Sequence, residues 1–315
     1  LNDLLTVLKK FYDMRSNDLK ESDIRRAKDP KWYKRNDLTG MMMYVNAFAG
    51  TLSGLEKKLD YVQECNVNYL HLMPLLESPK GRSDGGYAVA DFRKVQEELG
   101  NMDDFAHLTS ECHKRGISVC LDFVMNHTSE DHEWAKRALA GEKEYQDRYF
   151  FFDNYDIPSE YEKTCPQVFP TTAPGNFTWR EDCHKFVMTT FYPYQWDLNY
   201  ANPVVFNEMV NNMLYLVNQG IDIVRIDAVP YIWKQLGTPC RNLPQVHPHD
   251  AYDHRDRLPG RSAARRGCHG AGKGCSVLRN TRETGMPYAV QRNDDGIHLA
   301  HGCNGGYPPA ETSDG

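Results

Sequence analysis

The sequence predicts an α/β fold built of parallel βα units, the first four units of a (β/α)8 barrel, with an aromatic-rich insertion after the third strand. Near-continuous apolar runs of strand length alternate with amphipathic stretches of helical period. They follow one another as strand, helix, strand, and polar residues cluster after each run, where such barrels carry their chemistry. No GxGxxG follows a strand, which disfavours a dinucleotide-binding sheet.

Residues 1–36 read as the end of a helical region, with Leu4, Leu5, Leu8, Phe11 and Tyr12 on one apolar stripe. The barrel part is assigned to 37–247. MMMYVNAFAG supplies a first strand and a Gly-ended loop, 55–64 has helical spacing, and YLHLMPL (69–75) is a second strand. An amphipathic helix over 102–115, closed by Gly116, leads to the strand ISVCLDFVMNHT (117–128). A further helix over 206–218, closed by Gly220, leads to GIDIVRIDAV (220–229), a buried strand that carries Asp222, Arg225 and Asp227. Arg225 and Asp227 lie two apart and share a strand face, either as a structural ion pair or as a polar site. Between the third and fourth units, about 129–199, lies an insertion far beyond ordinary loop length, expected to form a lid or small subdomain. Its many aromatic rings suit either sugar contacts or a core of its own.

The net charge of -6 argues against a nucleic-acid partner, and no apolar run is long enough to cross a bilayer. The chain therefore reads as cytoplasmic, and its start at Leu1 as that of a fragment. Nine cysteines, odd in number and scattered, are expected to be reduced thiols, with Cys65, Cys112 and Cys120 acting as small hydrophobes. No CxxC pair suggests zinc.

At the C-terminal ends of the strands the sequence gathers Asp84 and Tyr87 in GRSDGGYAV, then Asp122, Asn126 and His127, then Arg225 and Asp227. His127 alone reads as a structural histidine and SDGG alone as a turn. Together they converge on one barrel mouth.

DFVMNH and GIDIVRIDAV resemble the first two signature regions of the α-amylase superfamily, glycoside hydrolase family 13. SDGGYAV, TTFYPYQWDLNYANP and YIWKQLGTPCRNLPQ are similar to stretches of its amylosucrase-like members. The resemblance runs from about residue 30 to His247. It implies Asp227 as the nucleophile of a retaining double displacement. It implies Arg225 as the residue that orients that carboxylate and lowers its pKa. His127 and Tyr87 would contact the glucosyl ring, Asp84 would close the pocket bottom, and Phe191 and Gln195 would lie towards the acceptor. The implied partners are sucrose and α-glucan or related α-glucosides, and the alternatives are a hydrolase of sucrose, trehalose or α-glucan, or a non-catalytic relic. Asn126 matches a calcium ligand of many α-amylases, but the amylosucrase type needs no metal, so neither a metal nor another cofactor is expected.

The family's second carboxyl group, the general acid and base, sits on a fifth strand. From residue 248 to 315 the sequence has no Phe or Trp and no periodicity, which suggests a disordered tail outside the family pattern. A shift of one base across 257–287, with suitable synonymous codons, permits a peptide containing VLLQGEVVMAPAKVVPYF. That peptide resembles the missing strand, with the acid's codon straddling Arg266 and Gly267. The expectation is an out-of-frame tail and a chain without turnover.

Overall fold

The computed structural model describes residues 2–238 and two short strands, Gln291–Asn293 and Gly296–Leu299. Strands β1 (Gly40–Met43), β2 (Tyr69–Leu72), β3 (Ser118–Val124) and β4 (Ile223–Asp227) lie side by side in that order, each parallel to the next. This is the partial barrel the sequence predicts. The runs over 69–75 and 117–128 are cut shorter than expected. After Met125 and Asn126 the chain starts a separate strand, His127–Ser129, which pairs antiparallel with Gln195–Asp197 of the insertion.

Strands β2, β3 and β4 are apolar because both faces are covered, whereas Met42 of β1 stays exposed. On β3, Val119, Leu121 and Phe123 join the main core, which is shared with α3 (Met102–Lys114) and α4 (Pro203–Asn218). Its other face carries Cys120, which packs with Ile223, Trp32, Tyr33 and Tyr69, and above it Asp122, level with Arg225 of β4. Helix α3 begins at Asn101, whose side chain caps Asp103 and Asp104 while Asp104 reaches back to the Asn101 amide. Helix α4 begins at Asn202 with Pro203 in its first turn, and buries Val205, Met209, Leu216 and Val217. At Gly220 (φ 99°) the chain turns into β4 so close to α3 that a Cβ would lie 2.5 Å from Thr109 Oγ1. The expected helix over 55–64 is divided into Leu52–Glu56 and Leu59–Glu64.

The first residues form α1 (Asn2–Met14) and α2 (Asn17–Lys28). Phe11 packs on Val210 and Leu214 of α4. Arg15 bonds Asp23 at 2.6 and 2.8 Å and also donates to Val217 O and Asn218 Oδ1. Asp222, just before β4, is a second anchor: it receives Arg26 at 2.6 Å, His113 at 2.9 Å and the Val119 amide at 2.7 Å. Burial pushes its carboxyl up, but the His113 bond and the Arg26 charge outweigh this and hold it below the usual range.

Within the insertion, Phe151–Phe152, Phe177–Arg180 and Lys185–Met188 form a small antiparallel sheet. Trp196 and Tyr149 enter the main core, whereas Tyr161, Cys165 and Met188 make a local one with Phe150, Phe152 and Phe177. Core packing therefore accounts for these rings. Cys112 and Cys120 are buried free thiols as expected; Cys65 is exposed, because it caps a helix instead of continuing its apolar face. Cys165 is disulfide-bonded, which corrects the expectation of reduced thiols throughout. Spacing alone gave no sign of this, since Cys165 has no sequence neighbour of its kind. Within the tail, Gly296–Leu299 pairs antiparallel with β4 and with Gln291–Asn293. Backbone pairing to an open strand edge needs no apolar period. The rest of 239–315 lies outside the described residues.

No helix among the described residues is long and apolar enough to cross a membrane. Asp222→Ala leaves Arg26 facing a buried site without its carboxylate and is expected to cost about 3–5 kcal/mol in urea denaturation at pH 7. Because the folded pKa is lowered, the Asp222 contribution is present above the unfolded pKa and fades as pH falls through the folded one. A loss below about 1 kcal/mol, or one unchanged at acid pH, would contradict this role.

Candidate active site

Strand β4 ends at Asp227 because Ala228 adopts a left-handed conformation (φ 57°) and turns the chain into the short helix Val229–Tyr231. Arg225, two residues back, points to the same face. Its Nη1 lies 2.7 Å from Asp122 Oδ1, 3.2 Å from Asp227 Oδ1 and 3.2 Å from the Tyr87 hydroxyl. Tyr87 donates to Asp122 Oδ2 at 3.3 Å, and His71 Nε2 approaches the same oxygen at 3.4 Å. Asp122 is thus held from three sides. Burial pushes its carboxyl up, but the His71 bond and the Arg225 charge bring it below its usual value.

Asp227 behaves differently. Arg225 lowers its pKa as expected, but burial outweighs that pull and, with the charges of Asp122 and Asp84, raises it to about 6. The guanidinium is shared, and Asp122 has the shorter bond. At pH 7 most of Asp227 is still ionised, and its side chain is 20% exposed.

Asp84 opens the short helix Asp84–Gly86 with a left-handed backbone (φ 49°). Gly86 (φ 97°) lies so close to Pro74 that a Cβ would be 2.8 Å from that ring. Asp84 accepts from Gln195 Nε2 at 3.1 Å, and burial raises its pKa against that bond. Gln195 Nε2 is also 3.1 Å from His127 Nε2. The His127 ring lies 5.1 Å from that of Phe191, which in turn stands 5.2 Å from Tyr231. Burial, with the Lys234 charge, pushes His127 down to about 3, so the ring is neutral. Asp84, His127, Phe191 and Gln195 therefore form one group, and Tyr87, Asp122, Arg225 and Asp227 another; Asp84 and Asp227 sense each other electrostatically across them.

Sequence reasoning left out Tyr44, His71, Asp197 and Lys234. Tyr44 follows β1 and faces Asp84 and Asp122, whose charges, after burial, raise its pKa. Its position one residue past a strand was the available signal. Lys234 Nζ donates to Asn126 Oδ1 at 2.8 Å and lies 3.2 Å from Asp197 Oδ2, with all three side chains buried. Burial works against both charges, raising Asp197 and lowering Lys234, and their attraction opposes it. These residues do not fit a calcium ion at Asn126, because an ammonium already occupies its oxygen. Among the described residues no group of His, Cys, Asp or Glu is arranged to hold a metal.

A shared arginine thus stands between two carboxylates at the C-terminal end of the parallel sheet, beside a neutral histidine and aromatic rings. The α-amylase catalytic-domain model matches residues 11–263, and the chain belongs to that family. It is 39% identical over 199 residues to the trehalose synthase/amylase TreS of Mycolicibacterium smegmatis, covering 63% of this chain and 32% of that protein. The trehalose-6-phosphate hydrolase structure from Bacillus licheniformis matches with a TM-score of 0.57 at 29% identity, over 64% of this chain and 37% of that one. A MutB mutant in complex with the substrate sucrose matches with a TM-score of 0.60 at 26% identity, over 70% and 42%. The chain spans about a third of the length of the curated relatives it matches.

The raised pKa of Asp227 has a stability consequence. A carboxyl whose folded pKa exceeds its unfolded one destabilises the fold once ionised. Asp227→Asn is therefore expected to be more stable than the native chain above pH 6, by on the order of 2–3 kcal/mol, with the gain vanishing below about pH 4. Denaturant curves at pH 4 and pH 8 check this; an equal difference at both pH values would refute it.

Proposed function

We propose that this chain carries the nucleophile side of a retaining site for terminal α-glucosyl units of small α-glucosides, trehalose or sucrose among them. The carrying observation is Asp227, ionised at neutral pH and oriented by Arg225 at 3.2 Å. In this reading its carboxylate attacks the anomeric carbon to give a covalent glucosyl ester, and the glucoside bond breaks. Tyr87, His127, Asp84 and Gln195 bind the sugar, and Phe191 faces the departing or accepting group. The names of the relatives favour disaccharide conversion or hydrolysis. A second reading, sucrose-dependent α-1,4-glucan synthesis, is supported by the stretches over 83–89, 189–203 and 231–245 quoted above.

Double displacement needs a second carboxyl group. Asp122 is engaged by Arg225, Tyr87 and His71, and Asp84 by Gln195, so neither is a free proton donor to a leaving group. We infer that the chain as written does not turn over, and that 248–315 are read out of frame. The nucleotide sequence past His247 tests the frame directly: codons that do not yield a strand bearing the acid in the shifted frame rule it out. The purified chain should leave sucrose, trehalose and maltose unchanged. A frame-corrected chain should release glucose or an isomeric disaccharide, while glucan plus fructose from sucrose would favour the second reading. In that chain Asp227→Asn should lower kcat/KM by roughly 10⁴-fold or more, and retention of activity would exclude Asp227 as nucleophile.

A further inference from the structure

Lys234 and Asn126 bear on a choice that the sequence leaves open: which nitrogen of His127 carries the ring proton. The Lys234 ammonium donates to Asn126 Oδ1 at 2.8 Å and to the Tyr231 carbonyl at 2.6 Å. An ammonium has only protons to offer, so it fixes the oxygen end of the Asn126 amide. The amide nitrogen must then face the other way, where it donates to Asp197 Oδ1 at 3.1 Å and meets His127 Nδ1 at 3.2 Å. That nitrogen also has only protons to offer, so Nδ1 is the bare nitrogen. A neutral imidazole carries one ring proton, so with Nδ1 bare the proton sits on Nε2.

We propose that Lys234 is a positioning residue that, acting through Asn126, holds His127 in the Nε2–H tautomer. Gln195 is the competing influence. Its Oε1 accepts from the Tyr192 amide at 3.0 Å, so its NH2 group is turned towards Asp84 and towards His127 Nε2. Two amide nitrogens thus face the two ring nitrogens, and a neutral imidazole can accept from only one. Asn126 is gripped by a cation at its oxygen and an anion at its nitrogen, and a flip would set both contacts against like partners. Gln195 is held at its oxygen by a neutral amide and at its nitrogen by a half-buried carboxylate. Asn126 wins, and the Gln195 proton serves Asp84. The consequence for a sugar rests on the proposed function: a protonated Nε2 offers a hydroxyl a donor where a bare one would offer an acceptor.

The tautomer itself is read without any sugar, by ¹⁵N NMR of histidine-labelled full chain, with His127→Gln assigning the signals. The native chain should carry the proton on Nε2 in essentially all molecules. Lys234→Met frees the Asn126 amide to turn its oxygen to the ring, and should move the proton to Nδ1 in most of them. Asn126→Asp, which leaves Lys234 in place and presents a carboxylate to Nδ1, should do the same and serves alone if Lys234→Met does not fold. A native ring protonated at Nδ1, or a tautomer unchanged in the variants that fold, overturns the proposal. Glucose titration of the native chain is a separate reading: a failure to bind with Nε2 protonated counts against the sugar site and leaves the Lys234 assignment standing.

Discussion

The site depends on how one guanidinium is divided between two carboxylates. Arg225 sits level with Asp122 on the neighbouring strand because β3 and β4 pair in parallel, and two residues from Asp227 because strand side chains alternate. Neither acid could be buried there alone at tolerable cost. The shorter bond goes to Asp122, which His71 and Tyr87 also hold, and so Asp122 is a fixed anion. Asp227 gets the longer bond and a raised pKa. Asp227 is thus the less satisfied of the two acids.

The insertion supplies Gln195 and Asp197 beside the barrel residues, and its attachment follows the same logic. His127–Ser129 leaves the barrel sheet to pair with Gln195–Asp197, which brings Gln195 to Asp84 and Asp197 to Asn126. Lys234, arriving from the loop after β4, neutralises Asp197 and fixes Asn126. Three chain segments far apart in sequence are therefore tied at one buried ammonium. Such a buried pair adds little stability over apolar packing, but removing either partner would leave an uncompensated buried charge.

Much of this was legible in the sequence. The four strands, α3 and α4 followed from apolar period and from the closing glycines Gly116 and Gly220, which act locally. Asp84, Tyr87, His127, Arg225 and Asp227 were found because they cluster after strands. The net rise of the Asp227 pKa was not legible because a sequence shows that Arg225 is near but not how deeply the carboxyl is buried. Lys234 and Asp197 were missed for a related reason: each is an ordinary charge in a polar loop until the fold buries both. The Cys165 disulfide and the separate strand at His127 are likewise products of tertiary contact.

The neighbour of β4 bears on how the site could be completed. In a parallel barrel every strand delivers its C-terminal end to the same mouth, so successive strands can each contribute a catalytic group there. Gly296–Leu299 runs the other way, with Leu299 opposite Val224 and Ile297 opposite Ile226. Its C-terminal end therefore points away from the mouth that holds Asp227, and it cannot play the part of a parallel fifth strand. It does satisfy backbone groups along an edge that would otherwise be open, which any extended segment of suitable length can do. Backbone pairing at this edge is thus independent of catalytic competence: the same hydrogen bonds can be made by a segment that brings no acid to the site.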